Sequence, residues 1–139
     1  MAKRKSINGS RARHENPIPN ASRVGNVVMS SVIGGTKPGT RELPASLEEQ
    51  IANVFAHIRH DVEAAGGSVD DIIKINFWVK DPVSQRAALN TEWVKMFPDP
   101  ESRPARHTLT LPADSRALVQ ADFTAVPWHL TFPEDPAGG

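Results

Sequence analysis

Arg106 and Asp122 are the residues of this chain whose types and spacing best suit chemistry. Both lie in the stretch Arg103 to Val126, RPARHTLTLPADSRALVQADFTAV, where two extended runs flank a Pro-Ala-Asp-Ser turn. Arg106 opens the first run just after Pro104, and Asp122 sits in the second between Ala121 and Phe123, which read as buried. A guanidinium presents a planar fork to a carboxylate and stays charged at any working pH. A carboxylate on an adjacent strand can place a water and carry a proton. The pair therefore predicts a site for a small carboxylate-bearing molecule and an activated water. The bland reading of Arg106 is a structural ion pair at a subunit contact.

Strand alternation refines this picture. Leu118, Gln120, Asp122 and Thr124 share one face, while Val119, Ala121, Phe123 and Ala125 share the other. In the first run Arg106, Thr108 and Thr110 fall together, and His107 points the opposite way.

The upstream elements read as the scaffold for this hairpin. Ser22–Val24 and Val27–Ile33 form an earlier hairpin about Gly25-Asn26, and Gly34, Gly35, Pro38 and Gly39 mark a loop. The Gly-Gly pair lacks the Gly-Lys-Ser/Thr ending of a phosphate loop and reads as a turn. Ser46-Leu47-Glu48-Glu49 is a capping box opening a helix whose stripe is Leu47, Ile51, Val54, Phe55, Ile58, Val62 and Ala65; Gly66-Gly67 ends it. His57 and His60 lie three apart on this helix, off the stripe, and read as solvated rather than as metal ligands. Ile72–Val79 is a strand expected to bury Ile73, Ile75, Phe77 and Val79, with Ile72, Lys74, Asn76 and Trp78 on a semi-polar second face. Such a face predicts a ligand cleft or a subunit contact. Asp81-Pro82 caps a second helix with Arg86, Leu89, Asn90, Trp93 and Phe97 on one face, ended by Pro98 and Pro100. Asn90 there is either a ligand contact or a buried amide satisfied by backbone, the second being the favoured reading. Two helices with one apolar stripe each predict an α+β fold, both helices on one face of a mixed sheet.

Composition narrows the function classes. A chain of 139 residues with 39% hydrophobic and 23% charged residues reads as one soluble domain with a full core. The net charge is zero, yet Lys3, Arg4, Lys5, Arg11 and Arg13 put +5 on residues 1–13, leaving 11 basic against 16 acidic residues beyond them. That body disfavours nucleic acid as a partner. The basic stretch 1–13 reads as a flexible tail, residues 14–132 as the single folded domain, and 133–139 as a flexible end, with Trp128, Leu130 and Phe132 adding a short edge contact. No cysteine is present, which excludes disulfides and thiolate chemistry and fits a cytoplasmic protein. No apolar run approaches the ~18 residues of a membrane span, and no secretory signal is legible.

Across about residues 17 to 126 the chain resembles the RidA/YjgF family, also labelled L-PSP. The residues that carry the resemblance are Val24-Gly25-Asn26, Glu49-Gln50, Glu63-Ala64-Ala65-Gly66, Asp71-Ile72-Ile73-Lys74, Val79-Lys80-Asp81, Leu89-Asn90, Phe97 and Arg103-Pro104-Ala105-Arg106. The resemblance implies a chorismate-mutase-like subunit in a homotrimer, with clefts between subunits and no metal or organic cofactor. It implies hydrolysis of reactive enamines and imines to 2-keto acids and ammonia. By position, Arg106 would hold the substrate carboxylate with the backbone beside Thr108. Asn90 would shape the cleft, and Asp122 would stand for the glutamate that positions the water. Ile18, Ser31 and His107 fall at further cleft positions. Ile18-Pro19 replaces the usual Tyr-Ser, Ser31-Val32 the usual Ser-Gly, and Asp122 reaches about 1.5 Å less far than glutamate. These departures point toward a different enamine, for example one from aromatic ring cleavage. They also keep open a non-catalytic small-molecule binder on the same scaffold. An RNA-directed role through the basic arm is the third alternative.

Overall fold

The computed structural model describes residues 3–9 and 16–127. Its strands are β1 (Arg4–Ile7), β2 (Ala21–Val24), β3 (Val27–Ser30), β4 (Ile33–Gly34), β5 (Ile72–Val79), β6 (Ala105–Thr110) and β7 (Val119–Ala125). The helices are α1 (Leu47–Ala64) and α2 (Pro82–Met96), with one 3-10 turn at Val69–Asp71. The sheet runs β1-β2-β3-β7-β5-β6, with β4 also paired to β7. Every pairing is antiparallel except β5 with β6. Both helices cover one face, as expected. Ile51, Val54, Phe55, Ile58 and Val62 of α1 and Leu89 and Trp93 of α2 meet Ile75, Phe77, Val119, Ala121 and Phe123 of the sheet in one buried cluster. Phe77 is its centre, stacked on Phe55 at 5.5 Å and edge-on to Trp93 at 6.1 Å.

The largest departure from expectation is in the focal stretch. β6 and β7 do not form a hairpin, because β5 lies between them, parallel to β6 and antiparallel to β7. The apolar β5 gains a ladder on both edges, and α2 supplies the crossover that a parallel pair requires. The Pro-Ala-Asp-Ser turn does exist, with Ser115 N–H on Pro112 O at 3.0 Å. Its segment instead carries the chain over the end of β5. Leu111 N–H on Val79 O (2.8 Å), Lys80 Nζ on Ser115 O (3.0 Å) and Leu118 N–H on Gln50 Oε1 (2.9 Å) fix that path.

Smaller corrections have local causes. A β-bulge between Ile72 and Lys74 turns Ile73 outward, 55% exposed, and buries Ile72 instead. Val27–Ile33 is not one strand: β3 ends at Ser30 and the chain steps over to pair Ile33 with Ala121. Within the stretch expected to be a flexible tail, Arg4–Ile7 pairs with β2, since the alternating Arg4-Lys5-Ser6-Ile7 can send Ile7 toward the core beside Ala21 while its charges stay in water. Residues 10–13, Trp128, Leu130, Phe132 and 133–139 lie outside the described residues.

Helix α1 begins at Ser46 as predicted, its Oγ accepting the Glu49 N–H at 3.1 Å, but the capping box is only half formed: the hydroxyl donates to Glu48 Oε2 at 3.3 Å, and the Glu49 carboxylate makes no bond back to the Ser46 N–H. Gly66 ends it at φ 91°, with Gly66 N–H on Glu63 O and Gly67 N–H on Val62 O, both at 2.9 Å. His57 is not solvated. It is buried, and because a carbonyl can only accept, its Nε2 donates to Thr36 O at 2.8 Å. With Asn53 Nδ2 on Gly35 O at 3.1 Å it clamps the Gly34–Thr36 loop to the helix. Gly35 is required by closeness rather than by turn geometry, since a Cβ there would stand 2.6 Å from Gln50 O.

Candidate functional site

Two neighbourhoods hold the predicted residues. The first is the groove between α2 and β6, the edge strand of the sheet. Arg106 is in register with Ile75 and Thr108 with Phe77, both buried core residues, so their side chains lie on the helix-covered face. The Arg106 guanidinium rests 5.1 Å from the Trp93 ring centroid and 5.9 Å from that of Phe77. Burial lowers its pKa below the ordinary guanidinium value, and the positive charge of Arg86 on α2 adds to this. It remains cationic at neutral pH. Arg106 takes part in no ion pair among the described residues. The loop that delivers it is pinned by Arg103 Nε on Phe97 O at 2.9 Å and by a turn in which Ser102 N–H donates to Asp99 O at 3.0 Å. Asn90 is exposed on α2, not buried in backbone contacts: the buried stripe runs through Gln85, Leu89 and Trp93, and Asn90 sits at its edge with Arg86.

The second neighbourhood is the sheet face that neither helix covers. Asp122 lies there, half-buried, and Asn76 Nδ2 donates to its Oδ1 at 2.9 Å. Asn76 is in register with Asp122 on one side and His107 on the other, so the three form one cross-strand row, with His107 exposed. Ser31 and Ile18 flank the same sheet. Ser31 Oγ donates to Pro19 O at 2.8 Å, and Ser30 Oγ accepts the Phe123 N–H at 2.9 Å. Ile18, Val32 and Met29 are exposed apolar side chains of this region.

Thus one chain does not bring Arg106 and Asp122 together. They occupy opposite faces of the sheet, one strand apart. Asn76 and Arg86 are the candidates that sequence reasoning passes over. Alternation already puts Asn76 on the second face of its strand, but its meeting with Asp122 needs the true strand order. Arg86 stands four residues before Asn90 and seven before Trp93, a helical spacing legible in the sequence. A cleft of about 250 Å³ also opens at the start of β5, between Ile73, Phe97, Glu101 and Arg103. Among the described residues no cluster of three or more His, Asp or Glu side chains could hold a metal.

An α+β chain with two helices on one face of a mixed sheet and a Pro-Ala-Arg edge strand defines a recognisable class. Residues 10–125 match the family described as Endoribonuclease L-PSP, and the chain belongs to that family, the RidA/YjgF group. It is 32% identical over 92 residues to the 2-iminobutanoate/2-iminopropanoate deaminase of Escherichia coli K12, a span of 66% of each chain. It is 31% identical over 110 residues to a RutC family protein of Pasteurella multocida, covering 76% of this chain and 84% of that one. Among solved structures it resembles RidA from the Antarctic bacterium Psychrobacter sp. PAMC 21119, with a TM-score of 0.78 and 30% identity over 88% of this chain and 98% of that one. No helix of the described residues is long and apolar enough to cross a membrane.

Proposed function

We propose that this protein hydrolyses reactive imines or enamines that carry a carboxylate, releasing a 2-keto acid and ammonia. The observation that carries the proposal is Arg106, a half-buried guanidinium seated on Trp93 and Phe77 with no ion-pair partner among the described residues. A cation held on an apolar aromatic floor, at the lip of a groove, is suited to a ligand's carboxylate. The deaminase named among the relatives supports the reaction class. Water oxygen adds to the C=N carbon, a proton passes to nitrogen, and the C–N bond of the resulting carbinolamine breaks to expel ammonia; an enamine first takes a proton at carbon. The imine carbon is already electrophilic, so placing substrate and water and moving protons is the work required.

In this reading Asp122, oriented by Asn76, assists the water. Since Asp122 and Arg106 face opposite sides of the sheet, the site is completed between copies of the chain, Arg106, Thr108 and Asn90 coming from one and Asp122, His107, Ser31 and Ile18 from its neighbour. A homotrimer is the assembly we propose. It accounts for the exposed apolar side chains on the uncovered sheet face, Val24, Val27 and Met29. No metal or organic cofactor enters the mechanism. The ribonuclease in the family's description is not the activity proposed, because the 11 basic and 16 acidic residues beyond residue 13 do not favour RNA. We place the protein in the cytoplasm, supported by the cysteine-free sequence.

A second reading, a carboxylate binder without turnover, is favoured by the separation of Arg106 from Asp122 within one chain. One assay separates the two. An amino-acid oxidase generates imines, semicarbazide traps the survivors, and the semicarbazone yield reports hydrolysis. The deaminase reading requires the wild type to lower that yield and Arg106→Ala to restore it. Stoichiometric binding with an unchanged yield would establish the binder.

A further inference from the structure

Arg106 shares its groove with a second guanidinium. Arg86, Asn90 and Trp93 of α2 are spaced i, i+4 and i+7 and form one stripe. The Trp93 end of this stripe carries Arg106. α2 returns the chain between two parallel strands, so it runs opposite to β6. Moving along β6 from Arg106 through Thr108 to Thr110 therefore moves back along α2 from Trp93 through Asn90 to Arg86. The lengths agree, at about 13 Å for four strand residues and about 10 Å for seven helical ones. Chain direction thus sets Arg106, on Trp93, at one end of the groove and the exposed Arg86 toward the Thr110 end, with the levels of Thr108 and Asn90 between them.

Burial is the main cause of the lowered Arg106 pKa, and the charge of Arg86 lowers it further. Neither belongs to an ion pair among the described residues; of the acids on and capping α2, Glu92 is held by Lys95 at 3.3 Å and Asp81 accepts the Val83 and Ser84 N–H groups. Two like charges on one groove repel, and a structural role would place a carboxylate between them. A ligand with two negative ends satisfies both at once, and its hydrogen-bonding middle would meet the Thr108 and Thr110 hydroxyls and the Asn90 amide. We infer that Arg86 is a specificity-determining residue, and that the substrate class is an imine or enamine bearing two carboxylates, the first on Arg106 and the second on Arg86. The inference rests on the reading of Arg106 as a carboxylate anchor.

The test uses stable keto acids as probes. Calorimetric titration of the full chain with 2-oxoglutarate and with 2-oxobutanoate gives the preference for the diacid. The wild type is expected to bind the diacid at least tenfold more tightly. Arg86→Gln should cut that preference about tenfold or more, with Arg86→Lys recovering part of it. Equal affinities in the wild type, or a preference that Arg86→Gln leaves intact, would overturn the inference and return Arg86 to a solvated surface residue. The deaminase reading is judged separately, by hydrolysis of the matching imines. Diacid preference without hydrolysis of either imine removes the deaminase and keeps the paired anion site; hydrolysis of 2-iminobutanoate without diacid preference does the reverse.

Discussion

Gly35→Ala should be among the most damaging single-methyl changes in this protein. The added Cβ would stand 2.6 Å from Gln50 O and 2.8 Å from Gln50 Cα and Cβ. Carbon–carbon contacts are comfortable near 3.5 Å, so helix and loop must part by about 0.7 Å. The obstacle is helix backbone, not the tip of a flexible side chain, and the helix is tethered on the spot. Gln50 is buried with both amide ends engaged, its Nε2 on Pro44 O at 2.7 Å and its Oε1 on Leu118 N–H at 2.9 Å. Asn53 and His57 hold the loop from the same helix. Overpacking of this kind costs about 1–3 kcal/mol. We expect about 2 kcal/mol, a fall in Tm of about 6–10 °C for a domain of this size. Gly34→Ala is the control: nothing stands within 4 Å of its Cβ, so its stability should stay within about 0.5 kcal/mol of wild type. Urea unfolding of the three proteins, at one protomer concentration because assembly contributes to stability, gives both numbers. If Gly35→Ala unfolds with the wild-type midpoint, the close-approach argument is wrong.

Three further outcomes follow from the same geometry. Asp122→Asn keeps the shape beside Asn76 but removes the charge, so imine hydrolysis should fall by about 10²-fold or more while unfolding is little changed; a wild-type kcat would remove Asp122 from the mechanism. His57→Ala deletes the donor to Thr36 O and leaves that carbonyl unpaired, for a loss of about 1–3 kcal/mol, read by denaturant midpoint and by faster proteolysis of the residue 34–45 loop. Asp81 caps α2, and its hydrogen bonds to the Ser84 side chain and to the Ser84 and Val83 N–H groups hold its pKa below 3.8. A depressed carboxyl pKa stabilises the fold above the unfolded value and loses that contribution as pH falls through the folded one. The stability gap between wild type and Asp81→Asn, which caps without titrating, should therefore narrow below about pH 3.8, and a gap constant down to pH 2.5 would contradict the cap's charge.

How far the fold can be read from the sequence depends on the range of the interaction. Both helices and their caps are local, so Ser46, Asp81 and Gly66 mark their ends without tertiary help. The helix-covered face follows from apolar periodicity, and Phe77, Phe123 and Val119 are recoverable from alternation alone. Strand order is different, because the energy of pairing two strands says little about which third strand comes between them. The Pro-Ala-Asp-Ser turn has the composition of a hairpin and a local hydrogen bond to match. What decides against the hairpin is the global gain from seating β5 between β6 and β7 over one continuous core. The bulge at Ile73 and the burial of His57 belong to the same category, each fixed by a partner distant in sequence.

The strand order also changes what the two focal residues mean. As neighbours in a hairpin, Arg106 and Asp122 would have formed a self-sufficient site. With β5 between them, each belongs to its own surface: Arg106 to the groove under α2, Asp122 to the uncovered sheet face with Asn76 and His107. If both serve one reaction, association of chains is a condition of activity rather than an accompaniment to it. This makes a sharp prediction for mixtures. Arg106→Ala and Asp122→Asn, each inactive alone, should regain activity when unfolded and refolded together, because some interfaces in mixed assemblies then pair an intact Arg106 with an intact Asp122. For random trimers, counting interfaces with independent subunits gives about one quarter of wild-type activity for an equal mixture. Recovery near that value places the two residues in different subunits of one site. If the mixture stays as inactive as its components although both fold and assemble, the shared site is refuted, and Arg106 must act without Asp122.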